Sequence, residues 1–517
     1  MEISVHEIET DASGPCAGSS GRSVVRGQAI NQARRSPDWL PEFVAITVLT
    51  LSAIIIAGYH SGIEDDAIYL AGIKKLLNPS LYPHDSQFFA SQTNGFPLLR
   101  LIALSARVTH LPILWLEFAL HFIFIFALIS GCWFIARQCF QKFWERVGAV
   151  ALVTVLLTMP VTGTSLYLAD QHLHPRTPAC AAILFAIGMA LRRRYKLAML
   201  FGAFAILLHP LMGAFGVAYV IVLSLPLERW KSVSHGMLAA LPLPIILHPT
   251  AAWREAATTR SYFFLRNWEW YEWLGIFAPM LILWWFGRLA FKMGYASLSH
   301  LCKRLVLYSV IMSAAGLIVG LPAKLDWLAP IQPMRHLQIV YLLMMLSAGG
   351  LLAHYVLKTQ IWRWMLLFIP LSAGMMYAQH YSFATSSHIE IPGVSGTNRW
   401  VKSFEWIQQN TPEDAYFAVD PNYMGRPGED NFGFRAIAER SKLADYSKDA
   451  AVVAVSPDLA PRWKTEVEAM NGYRHFTRDN LLLLRARFGV DWALVEGATS
   501  GLDCPYRQNG LSVCHID

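Results

Sequence analysis

The chain has 517 residues, of which 54% are hydrophobic and only 15% charged, with a mean hydropathy of +0.36. So little polar surface cannot solvate the roughly three soluble domains that this length would otherwise suggest, which excludes a water-soluble enzyme, a coiled coil and a disordered scaffold. The net charge of +7 is unevenly placed: residues after His380 carry 14 basic and 18 acidic side chains, leaving the remainder at about +11. In a membrane chain that balance reflects topology and anionic headgroups; no nucleic acid is implied.

Residues 1–38, rich in Ser, Gly and Arg, read as a disordered cytoplasmic extension without a cleavable signal peptide. Apolar runs follow at 43–60, 113–136, 147–168, 177–191, 197–208, 211–226, 235–249, 274–290, 305–321, 336–356 and 364–380, about eleven spans. With the amino terminus inside, Arg22, Arg26, Arg34, Arg35, Arg137, Lys142, Arg146, the Arg192–Lys196 run, Arg229, Lys231, Arg288, Lys292, Lys303, Arg304, Lys358 and Arg363 are cytoplasmic. This puts 19 basic residues inside and 10 outside. The tail is then external. Residues 197–227 read as one tilted helix or as two short ones meeting at His209-Pro210; the charges at Arg192–Lys196 and Glu228–Lys231 favour two.

The external loops hold the unusual chemistry. After the first span, Glu64-Asp65-Asp66 opens a surface-lying amphipathic helix with Ile68, Ala71, Ile73, Leu76 and Leu77 on one side and Lys74 and Lys75 on the other. One acid would serve as an N-cap. Three exceed that need, and carboxylates clustered beside a bilayer suit deprotonation of a hydroxyl or capture of a divalent cation. Tyr82-Pro83-His84-Asp85 is either a turn or a second wall of the same cleft. Asp170-Gln171-His172-Leu173-His174-Pro175-Arg176 packs much hydrogen-bonding capacity into one connection: Arg176 offers a fork for phosphate, and the imidazoles add donors or, on the weaker evidence of His-x-His, bind a metal.

His209 stands among apolar residues before Pro210. It is either a packing residue or a cavity-lining one, since proline frees backbone carbonyls. Glu117 and His121 share a helix face and can satisfy each other. Residues 251–273, with Trp253, Arg254, Arg260, Arg266, Trp268 and Trp270, suit an interfacial belt or a lid over a lipid phosphate. Arg335 is placed as a snorkelling anchor or as a partner for an anionic headgroup. In the tail, Trp400–Gln409, Pro461–Met470 and Asp479–Phe488 have helical spacing, 415–421 and 489–495 read as strands, and a hairpin closes the chain. Cys504 and Cys514 flank its Gln508-Asn509-Gly510 turn and can bridge it in an oxidising compartment. Arg435, with Glu439-Arg440, suits surface ion pairs, and the small α/β domain reads as a cap because it lacks a nucleophile pattern or phosphate loop.

A first span followed by Asp65-Asp66 with Tyr69, then Tyr82-Pro83 with Asp85, His174-Pro175-Arg176 and a later His209-Pro210, resembles the GT-C superfamily of integral membrane glycosyltransferases, in particular an uncharacterised bacterial branch. The resemblance implies a polytopic α-helical membrane protein of about eleven spans, GT-C-like over 39–380 with an external loop at 61–96, and an external (periplasmic) α/β domain at 381–517. It further implies a bacterial cytoplasmic membrane enzyme that moves a hexosyl or pentosyl unit, with inversion, from a polyprenyl-phosphate-linked sugar donor to a glycan, lipid or protein acceptor on the outer face. Carried over, Asp65 or Asp66, with Glu64 beside them, is the general base; Asp65 and Asp66 would also hold Mg or Mn if a metal is used. Asp85, His172, His174, Arg176, His209 and Arg335 are assigned to the sugar phosphate on chemical grounds alone. Membrane lipids are the other partner. The rivals are a transporter or flippase of a lipid-linked or anionic substrate, and a non-catalytic subunit of an envelope-assembly complex; the first predicts repeats and deep ionisable residues, neither of which is evident.

Overall fold

A computed structural model describes residues 39–226, 249–394, 396–426, 428–497 and 501–517. The proposed extension at 1–38, with Arg22, Arg26, Arg34 and Arg35, and the apolar run at 235–248, with Glu228, Arg229 and Lys231 before it, lie outside the described residues. Residues 46–517 form one unit; of the other, Met1–Ala45, only the start of the first helix is described.

That helix, α1 (Trp39–Ala57), is largely apolar with Glu42 in its first turn, and its one buried hydroxyl, Thr50, is satisfied by donating to the Ile46 carbonyl at 2.8 Å. Next come α2 (Asp66–Leu77), α3 (Gln87–Gly95) and α4 (Pro97–Thr109). Here the expectation of a surface-lying helix is corrected: Asp66 through Lys74 are all buried in α2. Ile73 joins Leu99 and Ile102 of α4 in one core cluster, and α2 and α3 cross so closely that a Cβ on Gly72 would stand 2.1 Å from Thr93 Oγ1. Lys74, on the supposed polar side, is buried against the C-terminal domain and donates to the Ala436 carbonyl at 2.8 Å and to Glu439 at 2.6 Å.

The helical body continues through α5 (Ile113–Cys139), α6 (Phe143–Val155), a two-residue strand pair β1 (Pro160–Val161) and β2 (Leu166–Tyr167), then α7 (Arg176–Leu191), α8 (Tyr195–Leu208) and α9 (Pro210–Ser224). After the undescribed stretch come α10 (Ala251–Thr258), α11 (Trp270–Lys292), α12 (Ala296–Gly320), α13 (Leu337–Leu352) and α14 (Ile361–Ser382). Six stretches are long and apolar enough to cross a bilayer: α1, α5, α11, α12, the segment Pro333–Leu357 around α13, and α14. About eleven is therefore not reached among the described residues. The reason is length: α7, α8 and α9 have 14 to 16 residues, and a helix of that size rises about 21–24 Å against a hydrocarbon core of about 30 Å. The run at 147–168 is likewise cut, because α6 ends at Val155 and the chain turns into the β1–β2 pair. Small residues set the closest helix contacts: a Cβ on Gly148 of α6 would meet the Gly349 carbonyl oxygen at 2.9 Å.

The C-terminal domain orders as α15 (Arg399–Asn410), β3 (Tyr416–Val419), α16 (Phe434–Ala438), β4 (Ser441–Lys442), α17 (Lys448–Val455), α18 (Ala460–Ala469), α19 (Arg478–Phe488), β5 (Trp492–Glu496), β6 (Asp503–Gln508) and β7 (Leu511–His515). Its sheet runs β4-β3-β5-β7-β6, parallel across the first three strands and antiparallel across the last. Phe417 and Val419 of β3 enter one core cluster and Tyr416 and Ala418 the other, so both faces of the central strand are buried and its sequence is a continuous apolar run. Cys504 and Cys514 form the disulfide across the β6–β7 turn, where Asn509 and Gly510 both take positive φ. Two expectations fail here. Trp253 of α10 is not at a lipid interface but fully buried against the C-terminal domain, its indole N–H on the Ala454 carbonyl at 3.1 Å. Arg435 is no surface residue but lies in the domain's interior.

Candidate active site

The acidic loop is shaped by its own glycines and by the C-terminal domain. Gly58 and Gly62 take positive φ, as does the non-glycine Glu64 at 46°. That conformation is over-determined: Gly433 N–H donates to the Gly62 carbonyl at 2.8 Å, Glu64 N–H donates to the Asn431 carbonyl at 3.2 Å, and Ile63 bridges Phe432 as in a short antiparallel pair. A Cβ on Gly433 would stand 2.3 Å from the Ala67 Cβ. The domain read as a cap thus serves as the template for the loop.

Three neighbouring acids acquire three different environments. Asp66 is 1% exposed; its Oδ2 accepts the Gly62 N–H at 2.6 Å, its Oδ1 has no partner, and burial pushes its carboxyl above the usual carboxylate range. Glu64 is held by Lys448 at 2.7 Å and by the Asn431 amide at 2.6 Å; burial works to raise it, and the Lys448 charge and these hydrogen bonds bring it below its ordinary value. Asp65 keeps 42% of its side-chain surface open. Burial again works upward, but the His174 hydrogen bond and the charges of Lys448 and Arg176 hold Asp65 well below the carboxylate range. Glu64 and Asp65 are thus both ionised and about equally open, at 41% and 42% of their side-chain surface; Glu64 is tied down by Lys448 and Asn431, whereas Asp65 is held only by the longer contacts to His174 at 3.4 Å and Lys448 at 3.7 Å.

His174 is fixed as one tautomer. Its Nδ1 accepts the Arg176 backbone N–H at 2.9 Å, so the proton of the neutral ring sits on Nε2, which faces Asp65 Oδ2 at 3.4 Å and the Tyr69 hydroxyl at 3.5 Å. His209 repeats the device: as the N-cap of α9 its Nδ1 accepts the Met212 N–H at 3.3 Å, and its ring stacks on His174 with centroids 5.9 Å apart. Two imidazoles, each pinned by a helix amino terminus, stand side by side. Phe96 packs on His209 and on Tyr69.

Arg176, 3% exposed, opens α7 and binds Asp170 through two contacts, 2.7 and 3.2 Å, while its Nη1 is buried with no partner. The Arg335 side chain makes no hydrogen bond or ion pair among the described residues, its Nε is buried and unpartnered, and it lies within electrostatic reach of Asp65, Tyr69 and Arg176. His172, 3% exposed with neither ring nitrogen bonded, is held to about 4 by burial and so is neutral at pH 7.

The structure therefore brings Glu64, Asp65, His174, Arg176, His209 and Arg335 to one place, with His172 packed behind His174. It places Asp85 elsewhere: fully buried and paired with Arg435, which also binds Asp449 at 2.7 Å. Glu117 and His121 do not pair with each other; Glu117 accepts from the Ser61 hydroxyl at 3.3 Å, and His121 packs on Tyr59. Lys448 and Asn431 are site neighbours that the sequence did not point to; Asp170 opened the polar Asp170–Arg176 connection but was assigned no role of its own, six residues before the Arg176 it binds. No group of three or more His, Cys, Asp or Glu side chains suited to a metal occurs among the described residues, and Asp66, closed in by Gly62, does not open toward a shared site with Asp65.

Chemically, the arrangement sets one ionised carboxylate beside two cations with unsatisfied N–H groups, two pinned imidazoles and the amino termini of α7 and α9, which favour anions. No family model matches the chain, and no curated protein matches it. Among solved structures it is similar to the archaeal oligosaccharyltransferase AglB from Archaeoglobus fulgidus in complex with an inhibitory peptide and a dolichol-phosphate, at 12% identity and a TM-score of 0.47, over 88% of this chain and 69% of that one. It is also similar to the Archaeoglobus fulgidus oligosaccharyltransferase in its apo form, at 13% identity and TM-score 0.45 over 88% and 69%, and in complex with Zn and sulfate, at 12% and 0.42 over 87% and 68%.

Proposed function

We propose that the chain is a membrane glycosyltransferase that moves a sugar from a polyprenyl-phosphate-linked donor to an acceptor hydroxyl, on the outer face of a bacterial cytoplasmic membrane. The outward orientation rests on the distribution of basic residues, 19 against 10. The observation that carries the reading is the juxtaposition of the half-open Asp65 with the unpaired N–H groups of Arg176 and Arg335. In the transfer, the acceptor oxygen bonds to the anomeric carbon as the bond from that carbon to the phosphate oxygen breaks. The acceptor proton passes to Asp65 and the lipid phosphate leaves as an anion. Arg176, Arg335 and the Nε2–H of His209 face that departing charge, while the Nε2–H of His174 stays directed at Asp65. The neighbours that keep Asp65 ionised also weaken it as a base, so proton transfer follows the bond making that acidifies the acceptor hydroxyl. A divalent cation, if used, would be held by Asp65 and would neutralise phosphate charge.

The test is consumption of a polyprenyl-phosphate-linked sugar by purified protein in nanodiscs, with and without a chelator. Asp65→Asn is expected to slow turnover by about 10²- to 10⁴-fold in a protein that still unfolds cooperatively, its unfolding temperature lowered only by the contribution of the ionised carboxylate. Wild-type turnover by that variant would remove Asp65 from the mechanism.

A further inference from the structure

Beside Asp65, between the acidic loop and the C-terminal domain, lies a cavity of about 380 Å³ whose walls include Glu64, Arg260, Arg426, Glu429, Asn431 and Lys448. That volume falls in the range of small-molecule sites, roughly 300–1,000 Å³. It adjoins the site already described: Lys448, on its wall, is 2.7 Å from Glu64 and 3.7 Å from Asp65. No aromatic ring lines it among the described residues, and Met424 is its one apolar side chain against mostly charged or polar ones, which makes it a poor seat for a lipid tail.

The charges of the wall decide what it takes. Glu64 is engaged by Lys448 and Asn431. Glu429 is engaged by Arg399 and by the Trp400 indole N–H at 2.9 Å. Arg426 faces Asp420 and Glu496. Arg260 remains: its one side-chain hydrogen bond among the described residues runs from Nη2 to the Tyr446 carbonyl at 3.2 Å, its Nε is buried without a partner, and its guanidinium has no carboxylate partner there. A guanidinium that lacks a counter-ion on the wall of a polar cavity is a receptor for a planar or tetrahedral anion.

We propose that this cavity is the acceptor subsite and that the acceptor is a sugar carrying an anionic substituent, phosphate or carboxylate, which Arg260 binds while a hydroxyl reaches Asp65. The proposal rests on the glycosyl-transfer reading for the word acceptor, but the binding site stands on its own charges. Full-length protein in nanodiscs is titrated calorimetrically with glucose 6-phosphate, glucuronate and glucose, and donor consumption is measured in parallel. Either anion is expected to bind at least about tenfold more tightly than glucose, the two anionic probes showing which substituent the fork prefers. Arg260→Gln is expected to weaken the anion about 10- to 100-fold, as loss of one charge-assisted contact does, and Arg260→Lys to recover part of it. Glucose binding as well as both anions, or Arg260→Gln leaving anion affinity unchanged at an unchanged unfolding temperature, overturns the proposal. Absence of donor consumption by the wild-type protein instead overturns the transferase reading, and the anion preference still decides the cavity.

Discussion

Two clusters of acids and bases in this molecule are built from the same residue types and come to opposite ends. In the first, Arg435 binds Asp85, Asp449 and the Lys442 carbonyl, and Lys442 binds Asp445 at 2.7 Å, all of them buried. Apart from one oxygen of Asp85, each charge has its complement. In the second, around Asp65, the carboxylate is half open and two guanidinium groups keep buried N–H groups with nothing to bind. Buried charges persist when they are paired, so the first cluster is explained by the fold it closes, joining the 82–85 turn to the C-terminal domain. The second is not, and what it lacks is an anion.

The largest effect expected from this contrast is on stability. Arg435→Met leaves Asp85 buried without its cation and Asp449 with only Lys442, at 3.4 Å, and breaking a buried pair in this way costs about 3–5 kcal/mol. Chemical denaturation in detergent should register that loss. Arg335→Met removes a cation that no carboxylate needs, so unfolding should stay within about 0.5 kcal/mol. Its donor turnover should instead fall about 10- to 100-fold, as for one charge-assisted contact. If the two variants lost stability alike, the distinction between a closed and an open cluster would be broken.

Much of the fold was legible. Trp400–Gln409 and Asp479–Phe488 match α15 and α19 to within a residue or so at each end, and the 415–421 run contains β3, because periodicity survives over ten residues or a buried strand. The five-residue α16 and two-residue β4 are too short to carry any period. In the site, His174, Arg176 and His209 stood out because polar groups are rare among apolar helices, and that rarity is what a membrane imposes. Lys448 gave no such signal: it is one lysine in a tail of ordinary composition, 384 residues from the Glu64 it binds. Asp85 was misleading for the converse reason. Its turn looks as exposed as the Asp65 loop, and only the tertiary partner Arg435 tells them apart.

The smallest expected effect concerns protons. His172 sits near 4, and burial lowers His174 as well, whereas an unfolded imidazole titrates near 6.5. Below pH 6.5 the unfolded chain therefore takes up protons that the folded chain refuses. Stability from these groups is complete above that pH and drains away as the pH falls toward 4. The depressed carboxyls of Asp65 and Glu64 act later, because their contribution begins to fade only below the ordinary carboxylate range near 4. His172→Gln keeps a polar side chain of similar reach without the titration, so its stability should decline less steeply between pH 6.5 and 4 and should follow the wild type below that window. Denaturation midpoints measured across pH 4–8 test this directly. Parallel curves for the two proteins would mean that His172 is solvated in the folded chain, and the dry backing that this ring gives His174 would be lost with it.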